Sequence, residues 1–293
     1  MNIILTVLEI VAPVFLVAGV GFAWVKAGFE YRIQFVTRLA MTLAVPCLIF
    51  TALMKTEANL ADLAKLTLAG TTAYLVIGAI GWALLKTIGL SLRTYLAPII
   101  FGNTGNLGIP LALFAFGQPG LEAAVVMLAV SAILSFTWGI WIVAGEGAFG
   151  KMIKEPMIWA TLLGAVFLVM DWETPTFLTN TLDLIGQMAI PMMLLTLGVA
   201  VARLTPGRVV TAIWLSVVKL LICAAIGWGI GLAFGLTGTL FGVLVLQMAM
   251  PVAVTAYLLA EKYEADSNAV AGYVVVSTLV SVVGLPILLA LLV

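Results

Sequence analysis

The chain has 293 residues, of which 64% are hydrophobic and 9% charged. Soluble domains carry roughly 25% charge, so this apolar surplus belongs against lipid, and the reading is an all-α polytopic membrane protein. Lys plus Arg and Asp plus Glu balance at 13 each and histidine is absent. The balance excludes a basic nucleic-acid footprint, and the missing histidine excludes His triads, HExxH zinc sites and His proton relays.

A crossing helix needs about 20 apolar residues. In chain order, ten stretches are predicted as crossings: 4–26, 33–54, 64–87, 94–116, 121–144, 156–171, 178–202, 209–234, 238–260 and 267–292. The sixth is short, and the longest connection, 145–155, leaves no room for a soluble domain. Cys47 and Cys223 fall inside apolar stretches, where cysteine behaves as a small hydrophobe. Two such residues make neither a disulfide framework nor a metal site, and no cofactor is expected.

Orientation follows from the basic residues, which concentrate on the cytoplasmic side of a membrane. With the N-terminus outside, the inner loops hold Lys26, Arg32, Arg38, Lys86, Arg93, Lys151, Lys154, Arg203, Arg208 and Lys262, and the outer loops only Lys55 and Lys65. Both termini are therefore expected to be external.

The halves 1–145 and 146–293 echo one another. Ala44-Val45-Pro46 recurs as Ala189-Ile190-Pro191, Thr51 as Thr196, Ala79-Ile80-Gly81-Trp82 as Ala225-Ile226-Gly227-Trp228, and Ser131 and Ser135 as Ser277 and Ser281. Five crossings per copy is an odd number, so the second copy enters the membrane upside down. Inverted repeats of this kind are a recurring plan of secondary transporters.

The fourth crossing contains Gly102-Asn103-Thr104-Gly105-Asn106-Leu107-Gly108-Ile109-Pro110. Each glycine disfavours a helix by roughly 1 kcal/mol and a proline by about 3 kcal/mol, so the helix is predicted to break here. The ninth crossing breaks at the matching place, Gln247-Met248-Ala249-Met250-Pro251. Unwound backbone at membrane depth is tolerated only where it is buried in protein or lines a cavity. Paired breaks in corresponding helices point to a transport site. Their half-helix N-termini carry about half a positive charge each and favour an anion. Candidate substrate contacts are Asn103, Thr104, Asn106, Gly108, Pro110, Gln247, Met250 and Pro251.

The run Asn103-Thr104 followed by Gly108-Ile109-Pro110 resembles the fourth-helix signature of the auxin efflux carrier family. Pro251 through Ala260-Glu261-Lys262-Tyr263 resembles that family's ninth helix and the loop after it. The resemblance covers essentially the whole chain and fits the compact bacterial members, without the long central loop of the plant hormone exporters. It implies a fold shared with bile-acid sodium symporters and sodium/proton antiporters. Crossings one, two, six and seven would form a scaffold, and three to five and eight to ten a moving transport domain. The resemblance gives Asn103 the contact with a substrate carboxylate and makes Pro110 and Pro251 the crossover prolines. It also implies a homodimer in the inner membrane carrying weak organic acids, such as malonate, malate or an auxin-like acid, by elevator-type alternating access.

Lys219 is the one basic residue well inside a crossing, and intramembrane ionisable groups are functional candidates. It is expected on the moving half but away from the crossing, as an anion or titrating site, as a snorkelling side chain or as a hydrogen-bond partner to a helix break. Glu9 reads as interfacial. Glu122 and Asp183 read as helix-start carboxylates favoured by the N-terminal dipole. No midplane Asp or Glu presents itself for proton coupling. Sodium would have to use neutral oxygens from Gln187, Gln247, Ser131, Thr104, Ser277 and exposed carbonyls at the crossing, and potential-driven movement without coupling is equally open. Rival readings are a sodium-coupled symporter of the bile-acid type, a channel and a receptor that does not transport. The lack of a His, Cys or paired-carboxylate constellation argues against an enzyme.

Overall fold

The computed structural model describes residues 3–56, 59–144, 156–204 and 208–293. Its described residues are all-helical, with one isolated β-bridge, Gly102 to Val252, and no strand. In chain order the helices are α1 (Ile3–Lys26), α2 (Ile33–Leu39), a π-turn (Ala40–Ala44) and α3 (Val45–Met54). After α4 (Leu60–Thr87) and α5 (Leu92–Ile100) a second π-turn (Thr104–Gly108) leads into α6 (Ile109–Leu134), and a third (Ser135–Gly139) into α7 (Ile140–Ala144). The remainder comprises α8 (Pro156–Met170), α9 (Thr176–Gln187), α10 (Ala189–Arg203), α11 (Val209–Ala233), α12 (Gly238–Met248), α13 (Val254–Lys262) and α14 (Ser267–Leu292).

Among the described residues, seven helical runs are long and apolar enough to cross a membrane; Pro156–Met170 and Gly238–Met248 are shorter apolar helices. The run Thr104–Ala144 has 41 residues, twice the roughly 20 that one crossing needs. It bends at Gly117, whose φ of +67° suits glycine. A side chain on Gly105 would touch Leu128 at 3.5 Å, and Gly117 lies midway between those residues. The run is therefore a helical hairpin, as the separate stretches 94–116 and 121–144 anticipate.

Local chemistry sets the helix ends. Asn59 caps α4 by accepting from the Ala61 N–H at 2.9 Å, Ser91 caps α5 through Thr94 at 3.3 Å, and Asp266 caps α14 through Ala269 at 3.0 Å. Inside α4, the hydroxyls of Thr67, Thr71 and Thr72 donate to carbonyls one turn back at 2.8 Å, so no hydroxyl proton is stranded. Large apolar side chains such as Leu16, Leu68, Leu221 and Leu291 point outward. Exposed apolar surface on this scale marks a lipid-facing molecule.

Packing is densest within two groups of helices, which also touch one another through α1 and α3 on α6 and α1 on α14. In one, α1 lies along α10, and α3 packs on α8 and α9. In the other, α11 packs on α12, α14 and α4, while α6 contacts α4 and α12. Beside the first group, the Tyr31 hydroxyl meets Thr196 Oγ1 at 2.8 Å, and Arg203 donates to the Tyr31 carbonyl at 2.6 Å. Burial outweighs both the Thr196 bond and the Arg203 charge and lifts the Tyr31 phenol above its usual value.

Candidate functional site at the meeting of two broken helices

Two helices are interrupted deep in the second group, and their breaks touch. α5 ends at Ile100, and Phe101 is extended (φ −97°, ψ 108°). α12 ends at Met248, and the chain is extended again by Ala253 (φ −69°, ψ 139°), the cap of α13. Gly102 and Val252 pair in an antiparallel bridge. The Asn103 N–H donates to the Pro251 carbonyl at 2.7 Å, and the Val252 N–H to Ser277 Oγ at 3.0 Å. Two backbone N–H groups freed by the breaks are thus satisfied, one by the other break and one by α14. A side chain on Gly102 would press on the Met250 carbonyl oxygen at 2.8 Å, and one on Gly108 on the Gln247 amide. Glycine at these positions allows the close approach.

Beside this junction lies a cavity of about 300 Å³, lined by Asn103, Thr104, Gly105, Asn106, Ser131, Ala253, Val254 and Thr255, with Phe101, Phe136 and Met41 as apolar walls. That size falls within the range of small-molecule sites, roughly 300–1,000 Å³. Two helix beginnings face it, the π-turn at Thr104 and α13 at Val254. By helix geometry the N–H groups of Thr104, Gly105, Val254 and Thr255 have no acceptor within their own helices. Asn103 Oδ1 accepts the Asn106 N–H at 3.2 Å and so caps the π-turn. This leaves Asn103 Nδ2, a donor, buried without a partner among the described residues. The site therefore presents N–H donors and two positive helix ends, which is the chemistry of anion binding.

The family model described as "Membrane transport protein" matches the chain over residues 6–152 and 148–289. The chain belongs to this family, that of the auxin efflux carriers. It is 30% identical to an uncharacterized transporter of Methanothermobacter thermautotrophicus over 266 residues, 85% of this chain and 86% of the relative. It is 26% identical to a putative malonate transporter of Rhizobium meliloti, over 82% of this chain and 81% of that protein. To a probable auxin efflux carrier component 9 of Oryza sativa it is 26% identical over 46% of this chain and 33% of the plant protein.

In this auxin-efflux-family chain the predicted site residues fall in distinct places. Asn103, Thr104 and Asn106 line the main cavity together with Ser131. Gly108, Pro110 and Gln247 are buried behind it. Gln247 is 1% exposed, and both atoms of its amide lack a hydrogen-bond partner among the described residues. Met250, Pro251 and Ser277 line a small void of about 10 Å³ with Ser216, Lys219 and Ser281. Gln187 lies elsewhere, in a cavity of about 420 Å³ with Lys55, Asp183, Gln118 and Glu122. The neutral oxygens considered for sodium thus do not share one cavity.

Three positions differ from the sequence expectation. Lys219 is not away from the crossing, and of the readings considered for it the hydrogen bond to a helix break is the one found: its ammonium donates to the Ile99 carbonyl at 2.6 Å, at the end of α5. Its partner is a backbone atom, which carries no side-chain signature in sequence. Glu122 is not merely a helix-start carboxylate; it is 8% exposed and accepts a hydrogen bond from Thr56 Oγ1. Asp183 lies within α9 and forms an ion pair with Lys55. Sequence reasoning passed over Thr37, Met41, Phe101, Phe136, Met157 and Lys262 as lining residues. Phe101 had a local signal, being next to Gly102, and Lys262 lies in the run that carries the family resemblance.

Proposed function

We propose that this membrane transporter is a secondary carrier of a small organic carboxylate, which it binds at the junction of the two breaks. The supporting observation is the cavity faced by two helix N-termini and by Asn103, whose oxygen is committed to Asn106 and whose amide nitrogen has no partner among the described residues. Donors without acceptors suit a carboxylate, and neutral donors permit release. The likeness to a putative malonate transporter favours a small mono- or dicarboxylate.

The architecture we propose is ten crossings in two inverted five-helix repeats, 1–145 and 146–293, with both termini outside the plasma membrane. In its favour are the paired breaks, the hairpin at Gly117 and a family model that matches the chain twice. The scaffold is α1–α3 with α8–α10, and the moving body is α4–α7 with α11–α14; in favour of this division, the densest packing, α1 on α10, α3 on α8 and α11 on α14, lies within the two bodies. Elevator movement of the second body against the first would alternate access. The main cavity reaches Lys262 and Thr37, both inner-side residues under this orientation, while the Gln187 cavity lies among outer-side residues. The state is then inward-facing.

Uptake of labelled malonate into proteoliposomes, with sodium, proton and potential gradients imposed one at a time, tests the reading. Saturable uptake that Asn103→Asp abolishes is expected. Uptake of cations instead, or none for any small carboxylate, would contradict it.

A further inference from the structure

Each interrupted helix has two ends at the junction, and the anion cavity uses only the N-terminal ones. The C-terminal ends, of α5 at Ile100 and α12 at Met248, carry about half a negative charge each and lie in the protein interior. Lys219 stands between them. It is 3% exposed, and its ammonium donates to the Ile99 carbonyl at 2.6 Å. Its side chain also lines the void of about 10 Å³ with Ala249, Met250 and Pro251, directly after the end of α12. Such a space holds one water at most. The ion pairs among the described residues are Arg32–Glu30, Lys55–Asp183 and Arg208–Asp266, none of which includes Lys219. An isolated buried ammonium is costly unless something offsets its charge. Here the carbonyl end of α5 does so by direct contact at Ile99, with the end of α12 across the small void, and in return the ammonium offsets their negative charge.

Resting on the carboxylate reading of the neighbouring cavity, we infer that Lys219 is a built-in counter-cation to the C-terminal ends of the two half-helices. Two consequences follow. The junction is pre-organised for an anion without a bound alkali cation, because one fixed positive charge already offsets the two negative helix ends. The moving body also carries that charge across the membrane in every cycle. Loaded with a monoanion the junction is close to neutral, whereas empty it is positive, so the membrane potential acts chiefly on the empty step. Lys219 is not among the residues that line the main cavity. It is therefore a positioning residue, acting through the half-helices and not by contact with substrate.

The test is malonate binding by calorimetry to the purified full chain in nanodiscs, in sodium chloride and in choline chloride of equal ionic strength. Wild type is expected to bind equally in both. Lys219→Met keeps the length and removes the charge, and should lose on the order of tenfold or more in affinity. Lys219→Ala should weaken binding likewise and regain it with methylammonium, which replaces the missing charge, but not with choline. A purely structural lysine would give the opposite pattern, with Lys219→Met binding as wild type and no alkylammonium rescue. Sodium-dependent binding by wild type would overturn the inference while leaving the carboxylate site standing. Absence of carboxylate binding in every buffer would overturn both. Should Lys219→Met fail to fold, the sodium comparison on wild type and the rescue of Lys219→Ala still decide.

Discussion

The backbone N–H of Asn103 donates to the Pro251 carbonyl across 2.7 Å, so each break in the molecule is held open by the other. Gly102 pairs with Val252 beside that bond, and an added methyl there would meet the Met250 carbonyl oxygen at 2.8 Å and its Cβ at 2.9 Å. Gly102→Ala is expected to separate the two segments, at roughly 1–3 kcal/mol for overpacking. Thermal melting should drop, and malonate uptake should fall further than the lost stability accounts for. Gly19→Ala, inside α1 where nothing lies within 4 Å, is the control: it should melt no lower than wild type, since alanine favours a helix over glycine, and take up malonate as wild type does.

The two native thiols are buried, Cys47 at 9% exposure and Cys223 at 0%. Neither is expected to react with a membrane-impermeant maleimide. In a cysteine-free background, Met41→Cys in the cavity wall should react from the side that carries the 145–155 loop, and malonate should slow the reaction. Labelling from the opposite side alone would contradict an inward-facing cavity.

Reporter fusions check the orientation. A reporter at Val293 and one within the 145–155 loop, which lies outside the described residues, should report opposite sides, with Val293 external. A cytoplasmic C-terminus would undo both the topology and the inverted pairing of the repeats.

Much of this molecule was readable from residue chemistry, but not all of it. The break around Asn103 announced itself because glycine, asparagine and proline disfavour a helix, and the structure does unwind there. Its register was not readable. Only Phe101–Asn103 leave the helix, and Thr104–Gly108 resume it as a π-turn, which absorbs glycines that a propensity sum counts as broken. Lys219 stood out as a charge inside an apolar stretch. Its partner did not, since the Ile99 carbonyl lies 120 residues away and any residue type would supply it. Glu122 looked like a dipole-favoured helix start because its hydrogen-bond partner, Thr56, lies far off in the chain. Such tertiary pairings leave no periodic trace in sequence.

A dimer is expected, because a scaffold must stay fixed while the other body moves past it. Mass measurement in nanodiscs should give twice the chain mass. A monomer at all protein concentrations, with transport intact, would remove the dimer from the account.

The most direct test is a titration of malonate into folded wild type and folded Asn103→Asp. The substitution keeps the shape of the side chain, exchanges the unpartnered amide donor for a carboxylate and leaves an oxygen for the Asn106 cap. A hydrogen bond to a charged group contributes about 1.5–3 kcal/mol, so affinity should fall roughly tenfold to a hundredfold, and further through charge repulsion. Equal carboxylate affinity in the two proteins would contradict an anion site at the junction of the broken helices.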